Sequence, residues 1–132
     1  EKLVMNVKRG QIYRCQKNGV TIEVLSGGDE CEVFYCCGDV MTKMTPNTVD
    51  ASKEKHVPVL ESSGSGIKVK VGSLEHPMLE NHYIMWIEVV NGDYVNRKYL
   101  KPGDKPEAEF YVPNNGHLQV FAYCNLHGLW QG

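Results

Sequence analysis

Three short stretches of the sequence carry side chains that could bind a transition metal. The first is Glu54-Lys55-His56-Val57-Pro58, and the second has His76 before Pro77 and His82 six residues after His76. The third is Cys124-Asn125-Leu126-His127-Gly128. A cysteine and a histidine three residues apart can meet at one metal, although this spacing also occurs by chance. The prediction of a metal site therefore depends on the other histidines.

Four imidazoles and one thiolate together suit a first-row transition metal. Neutral imidazoles leave most of the positive charge on the metal, and a thiolate pushes electron density toward the position opposite to it. Such a donor set favours reaction with a small redox ligand over metal storage. His76 and His82 flank a loop that contains a proline, and His56 precedes a Val-Pro pair. Loops on a rigid β scaffold are good places for ligands.

Composition and charge narrow the class of protein. The 132 residues suffice for one hydrophobic core with a small additional module. The net charge is −2 and no basic stripe stands out, so we expect no nucleic-acid partner. No apolar run approaches the ~20 residues of a membrane span. Residues 1–13 lack the apolar segment of a secretory signal, and the five cysteines are odd in number. We therefore expect a cytoplasmic protein with reduced thiols.

The first 44 residues form one predicted unit, which a linker over residues 45–52 follows. Four of the five cysteines lie in this unit. The β-rich runs Val20–Leu25 and Glu32–Tyr35 flank the turn-prone Ser26-Gly27-Gly28-Asp29 and predict a hairpin. A unit this short usually needs a metal or another staple to fold.

Residues 53–132 have the pattern of an all-β domain. Apolar residues alternate with lysines in Ile67–Val71, and the apolar residues of Leu118–Cys124 share one face. Glu107–Val112 alternates less regularly, and His82–Val90 is apolar enough for a strand buried on both faces. Turn signals recur between these runs, which predicts an antiparallel sandwich or barrel.

The motifs at these positions resemble those of the superoxide reductases of the desulfoferrodoxin (neelaredoxin) family. E-K-H-V-P, H-P-M-x-x-x-H-Y and C-N-x-H-G occur in this order. The resemblance extends to Thr48–Lys53, Lys68–Gly72, Leu100–Gly103 and Pro106–Ala108, and so covers nearly the whole chain. It implies an immunoglobulin-like β-sandwich for residues 53–132, with a small desulforedoxin-like β module before it.

The resemblance also implies the ligands of a mononuclear non-haem iron. His56, His76, His82 and His127 would hold the iron in one plane, with Cys124 as the axial ligand. The sixth position would be open in the ferrous state, where superoxide would be reduced to hydrogen peroxide.

Two residues before His56 match further positions of the family motif. Lys55 matches the lysine that attracts superoxide and positions a water or proton, and Glu54 matches the glutamate that can occupy the sixth position of ferric iron. The family further implies re-reduction by an external donor such as a rubredoxin, and a homodimer.

The amino-terminal cysteines depart from the pattern of the two-iron family members, which bind a second iron with C-x-x-C and an adjacent C-C pair. Cys36 and Cys37 match the pair, but Asn18 replaces the second cysteine of the element that begins at Cys15. A neutral amide is a poor substitute for a thiolate on iron. Cys31 could supply the fourth thiolate of a second iron site, or it could be a small apolar residue. The four-cysteine site is therefore altered or degenerate.

Two other classes of protein share parts of this pattern. A cupredoxin-like electron carrier is also a β-sandwich with a Cys…His pair on one loop, but no methionine follows His127 at the usual spacing. A zinc-stapled binding module would hold a colourless, four-coordinate metal. The fifth histidine, His117, matches no family motif and is predicted to be exposed and structural.

Overall fold

The structure is a computed structural model, and it describes residues 4–50 and 55–132. Every regular element in these residues is a β-strand. The chain forms two compact units, Glu1–Thr45 and Pro46–Gly132. In the part of the chain that the structure describes, no helix has the length and apolar character required to cross a membrane. The predicted all-β fold class is confirmed.

The described part of the first unit consists of short strands. They are β1 (Val4–Val7), β2 (Ile12–Arg14), β3 (Thr21–Glu23), β4 (Gly28–Glu32), β5 (Tyr35–Cys36), β6 (Asp39–Val40) and β7 (Thr42–Met44). Strand β2 is the centre of the sheet β3-β2-β7, β1 pairs with β4, and β5 pairs with β6. The rings of Tyr13 and Phe34 meet edge to face at 5.0 Å in a small core that also buries Cys15 and Met41.

The predicted hairpin between Val20–Leu25 and Glu32–Tyr35 is wrong. Strand β3 pairs with β2, and β4 pairs with β1. In the segment between them, Gly27 lies against the backbone of Val7, and a Cβ atom at this position would clash with the Val7 carbonyl oxygen. Glycine therefore permits the close approach of this segment to β1. Alternating hydrophobicity predicts that a strand exists but does not name its partner.

The second unit is a sandwich of two antiparallel sheets. Its strands are β8 (Pro58–Ser63), β9 (Gly66–Val71), β10 (Ile84–Asn91), β11 (Tyr94–Tyr99), β12 (Glu107–Phe110), β13 (Gln119–Cys124) and β14 (Gly128–Gln131). One sheet has the order β11-β10-β13-β14 and the other β12-β9-β8. The alternation predicted for residues 67–71 is present, since Ile67, Val69 and Val71 are buried in the core and the two lysines point outward.

The strand ends that flank the predicted metal ligands are paired with one another within each sheet of this sandwich. Pro58, the first residue of β8, pairs with Val71, the last of β9. In the other sheet, Ile84 begins β10 opposite Cys124, which ends β13 and also pairs with Gly128. The segment before β8 and the β9–β10 segment therefore meet at one pair of strand ends. The β9–β10 segment and the β13–β14 turn meet at another.

Candidate metal centre

His56 is held in place by the acidic side chain of Asp50. The backbone N–H groups of His56 and Val57 donate to the two carboxylate oxygens of Asp50, at 2.6 and 3.2 Å. One of these oxygens also lies 3.5 Å from Nδ1 of His56. The opposite ring nitrogen, Nε2, faces His127, and the ring of Trp130 stacks on the imidazole at 4.4 Å. His56 is therefore fixed in both position and ring orientation.

His76 and His82 lie in the loop that joins β9 to β10. The backbone N–H of His76 donates to the carbonyl of Val71, so the loop turns inward as soon as the strand ends. Nδ1 of His76 lies 2.7 Å from the carbonyl oxygen of Pro77. Because a carbonyl only accepts, Nδ1 carries the proton and Nε2 is the basic nitrogen of the neutral ring. Reciprocal backbone hydrogen bonds between Leu79 and His82 close a tight turn within the loop.

Cys124 and His127 bracket the turn between β13 and β14. Asn125, between them, ties this turn to the preceding loop. Its side-chain oxygen accepts from the backbone N–H of Tyr83 at 2.9 Å, and its side-chain nitrogen donates to the carbonyl of Asn81 at 3.1 Å. The backbone carbonyl of His127 accepts from the indole of Trp130 at 3.1 Å. These bonds hold the two ligand-bearing segments together.

The four imidazoles form a closed ring of neighbours. Their centroids are 4.6 Å apart for His56 and His76, 4.9 Å for His76 and His82, 5.0 Å for His82 and His127, and 4.8 Å for His127 and His56. The Cys124 sulfur is buried and lies 3.8 Å from Nδ1 of His127. One ligand atom from each of the five residues lies within 4.8 Å of all the others.

This donor set fits a first-row metal. With metal–nitrogen bonds of about 2.1 Å, adjacent corners of a square of ligands are about 3.0 Å apart and opposite corners about 4.2 Å. Nε2 of His56 and Nδ1 of His127 are separated by 3.0 Å, the spacing of adjacent corners. Four neutral nitrogens and one sulfur at such separations match the ligand types that suit iron, copper or zinc rather than magnesium or calcium. The residues present therefore fit the iron that the resemblance implies.

Three further residues were considered in the sequence, and the structure describes two of them, Lys55 and His117. Lys55 is half-buried, and its backbone carbonyl packs so closely on Gly72 that a Cβ atom there would lie 2.6 Å from the oxygen. Glu54 lies outside the described residues. His117 is exposed and its backbone N–H donates to the Asn115 side chain, which agrees with the structural role predicted for it.

A second group of possible ligands occurs in the first unit. The sulfurs of Cys15, Cys36 and Cys37 lie within 4.8 Å of one another. A hydrogen bond from Cys36 lowers the pKa of the Cys15 thiol, and the same bond raises the pKa of Cys36 to about 11. Cys31 is not part of the group, because it lies on β4 opposite Met5. The described residues therefore do not fit an iron site with four thiolates.

Sequence reasoning missed the residues that position the histidines. They are Asp50, which lies in the stretch Thr48–Lys53, Asn125, which lies in the third motif, and Trp130. The available signal was the type of residue, since Asp and Asn beside a turn readily bind backbone N–H groups through their side chains. What could not be read from the sequence was which backbone groups they meet.

The molecule is an all-β protein with an immunoglobulin-like sandwich and a group of four histidines and one cysteine. The fold and this group define its class. The family model for desulfoferrodoxin matches residues 48–132. The chain is 52% identical to a desulfoferrodoxin from Syntrophotalea carbinolica, over 91% of this chain and 93% of the relative. It is 33% identical to a superoxide reductase from Pyrococcus horikoshii, over 69% of this chain and 95% of the relative.

A solved structure of the superoxide reductase from Treponema pallidum is also similar, with a TM-score of 0.71 and 29% identity. The match covers 92% of this chain and 96% of that one. The chain belongs to the desulfoferrodoxin family.

Proposed function

We propose that this chain is a superoxide reductase, an oxidoreductase that converts superoxide to hydrogen peroxide. The observation that carries the proposal is the convergence of His56, His76, His82, Cys124 and His127 within 4.8 Å in a member of the desulfoferrodoxin family. Relatives and structural neighbours named superoxide reductases support it. The cupredoxin-like alternative is not favoured, because four imidazoles converge where a blue-copper centre uses two.

The five converging residues would hold one mononuclear non-haem iron through four imidazole nitrogens and the Cys124 sulfur. Bound iron would supply the single electron that, with two protons, converts superoxide to hydrogen peroxide. The protein's part is to keep the ring nitrogens deprotonated and aimed inward. The Pro77 carbonyl supports this, because it accepts from Nδ1 of His76 and leaves Nε2 as the basic nitrogen. Asp50 accepts from the backbone N–H of His56 and so holds this ring in place.

Lys55 would attract superoxide to the centre and position a water or proton beside it. It directly precedes His56, and its backbone is anchored against Gly72, so its side chain starts from a fixed position next to a ligand. A fixed positive charge beside a site for a small anion raises the rate of encounter, and salt weakens the effect. Glu54 would be the carboxylate that closes the sixth position of the ferric form.

The remaining parts of the proposal concern partners, domains and location. A one-electron donor of the rubredoxin class would restore the ferrous state, and two copies of the chain would form a homodimer in the cytoplasm. Residues 1–44 would be a desulforedoxin-like module, residues 45–52 a linker and residues 53–132 the catalytic domain. Family membership supports these assignments, and the division of the chain near residue 45 agrees with the first boundary.

Pulse radiolysis of the ferrous protein tests the activity directly. Superoxide should disappear in a second-order reaction, with one hydrogen peroxide formed for each superoxide consumed and the iron left ferric. A dismutase would instead form one peroxide and one dioxygen from two superoxides, and that ratio would contradict the proposal.

Two cysteine variants make the test specific to the proposed centre. Cys124→Ser should lose the thiolate-to-iron absorption band and nearly all turnover, whereas Cys31→Ser should keep both, because Cys31 lies outside the ligand group. A band that persists in Cys124→Ser would show that another residue is the sulfur ligand.

A further inference from the structure

The cluster of cysteine thiols in the first unit is a second set of possible metal ligands. Cys36 and Cys37 have sulfurs 3.9 Å apart, and the Cys15 sulfur joins them within 4.8 Å. Cys15 is 2% exposed and Cys37 is on the surface, so the group has a buried floor and a side open to solvent. Cys37 reaches it from a backbone with a φ of 55°, next to Gly38 with a φ of 82°.

The side chain of Asn18 lies beside the sulfurs of Cys36 and Cys37. Its Oδ1 accepts from the backbone N–H of Val20 at 3.0 Å. Because a backbone N–H only donates, this bond identifies the amide oxygen and turns Nδ2 toward the sulfurs. Nδ2 lies 3.2 Å from the Cys37 sulfur and 3.6 Å from the Cys36 sulfur. Asn18 therefore donates from Nδ2 to two of the sulfurs, while its Oδ1 is the more distant atom, 3.9 Å from the Cys36 sulfur.

Cys31 does not replace the missing thiolate. It is fixed in β4 by pairing with Met5 of β1, its sulfur lies 3.3 Å from the carbonyl of Glu32, and its side chain packs on the core of the unit. Recruiting it would break the β1–β4 ladder. The group is thus limited to three sulfurs.

We propose that Cys15, Cys36 and Cys37 bind a soft closed-shell cation of the Zn²⁺ or Cd²⁺ type through three thiolates. The three thiols would release their protons to solvent on binding, and the side of Cys37 would leave a fourth position to a ligand from solution. Thiolates select soft metals, and three protein ligands with one open position are a well-known arrangement for a d¹⁰ cation. The Asn18 amide donates to two of the sulfurs and disperses their negative charge.

The site would stabilise the first unit without taking part in electron transfer, because a closed-shell cation has no accessible second oxidation state. It differs in this respect from an iron bound by four thiolates. The proposal does not depend on the activity proposed for the second unit.

Cadmium retention by the full-length protein tests the three-thiolate site. The iron-loaded chain is reduced under anaerobic conditions, given one equivalent of Cd²⁺ and passed through a desalting column. Cadmium and iron per chain are then measured by mass spectrometry, and thiolate-to-cadmium absorption is measured in the ultraviolet. The wild type should retain one cadmium with this absorption, while its iron content stays constant.

Two matched serine variants identify the ligands. Cys37→Ser should weaken cadmium binding by more than about 100-fold, because even an outer-shell partner commonly contributes 10- to 100-fold to metal affinity. Cys31→Ser should bind as the wild type does. Equal retention by Cys37→Ser, loss of cadmium in Cys31→Ser, or displacement of iron by cadmium would each overturn the proposal. Circular dichroism of each variant establishes that the fold is kept.

Asn18→Cys provides the converse test. This variant restores a fourth thiolate at the position of the amide, so after expression with iron it should gain a second iron and the visible absorption of a tetrathiolate site. The wild type should gain neither. A wild-type protein that already carries this second iron and its absorption would show that a fourth thiolate reaches the group.

Discussion

Two imidazoles of the metal centre, those of His56 and His76, have an oxygen atom beside Nδ1. Asp50 approaches Nδ1 of His56, and the Pro77 carbonyl accepts from Nδ1 of His76. In His76 the basic Nε2 is therefore the atom available to a cation, whereas His127 presents Nδ1 toward His56. Contacts of this kind orient the rings, which is the usual function of groups behind metal-binding histidines.

The charge of Lys55 gives the first prediction at this scale. Lys55→Ala should slow superoxide capture at low ionic strength by about tenfold, because one fixed charge near an anion site steers encounter at this order of magnitude. Its rate should also depend less on salt than that of the wild type. Pulse radiolysis over a series of salt concentrations measures both effects.

Lys98→Ala is the matched control for this variant. Lys98 is an exposed lysine on β11 and lies outside the ligand group, so its removal makes the same change in net charge. If both variants slow capture equally, the effect comes from net charge and the steering function of Lys55 is wrong.

At the scale of elements, the two ligand-bearing loops of the second unit depend on each other. Asn125 in the β13–β14 turn binds the backbone of Asn81 and Tyr83 on either side of His82. The side chain of one residue therefore fixes His82 relative to Cys124 and His127. A shift of either loop would separate ligands that must meet within a few ångströms.

Asn125→Ala should accordingly loosen the metal centre without changing any ligand. We expect iron loss to a chelator to be about 10- to 100-fold faster, the range found when outer-shell partners of metal sites are removed. Asn125→Asp, which keeps the acceptor for Tyr83 but loses the donor to Asn81, should fall between this variant and the wild type. The decay of the thiolate-to-iron absorption measures the rate.

Asn114→Ala is the control, because Asn114 makes a comparable side-chain hydrogen bond, at 3.2 Å to Ser62, from an exposed position in another loop. Equal rates of iron loss from Asn114→Ala and Asn125→Ala would argue against a positioning function for Asn125.

An ion pair joins two strands on the outer face of the β12-β9-β8 sheet. Lys68 on β9 and Glu107 on β12 form an ion pair of 2.6 Å, and both side chains are less than one third exposed. This hydrogen bond lowers the pKa of Glu107 and raises the pKa of Lys68. The pair therefore stabilises the folded state only while Glu107 is ionised and Lys68 is protonated.

Glu107→Gln should lower the free energy of unfolding by about 0.5–1 kcal/mol near neutral pH, a typical value for a cross-strand charge pair. A carboxyl with a depressed pKa stabilises above its unfolded pKa and loses this contribution as pH falls through the folded value. The difference from the wild type should therefore begin to shrink as the pH falls below about 4.3, the ordinary pKa of a glutamate, and disappear below the lowered pKa of the folded state. Denaturant unfolding at a series of pH values measures it.

Glu61→Gln serves as the comparison, because Glu61 and Lys70 are 3.4 Å apart and about half exposed on the same sheet. Solvent screens such a pair more strongly, so its removal should change stability less. A Glu107→Gln difference that persists unchanged in acid would exclude ionisation of Glu107 as its cause.

At the scale of the molecule, the metal centre draws on separate parts of the second unit. Its ligands come from the segment before β8, from the β9–β10 loop and from the β13–β14 turn. A cation bound by all of them joins distant parts of the chain. Binding to the folded state alone adds stability, about 2.7 kcal/mol when the ligand is present at 100 times its dissociation constant.

Removal of iron should therefore lower the melting temperature of the second unit by on the order of 10 °C, since 1 kcal/mol shifts a domain of this size by several degrees. Calorimetry of the iron-loaded and chelated protein measures the difference. His76→Asn should shrink this difference strongly, whereas His117→Asn should leave it unchanged, because His117 is the histidine outside the group. A difference that His76→Asn does not reduce would contradict metal binding at these residues.

The amino-acid sequence by itself determined the fold class and the identity of the residues that meet. Alternation in residues 67–71 and 118–124 predicted strands of the sandwich, because a period of two reports which side chains are buried. The motifs around His56, His76, His82 and Cys124-Asn125-Leu126-His127 predicted the five members of the group through their resemblance to the motifs of the desulfoferrodoxin family.

Only the tertiary structure decided what depends on contacts between distant segments. It showed that β4 pairs with β1, that Asp50, Asn125 and Trp130 hold the histidines, and that Cys31 stays apart from the other amino-terminal thiols. The physical reason is that strand partners and side-chain hydrogen bonds are selected by packing across the fold. Local sequence patterns record burial and backbone preference, but they do not record which segment lies opposite.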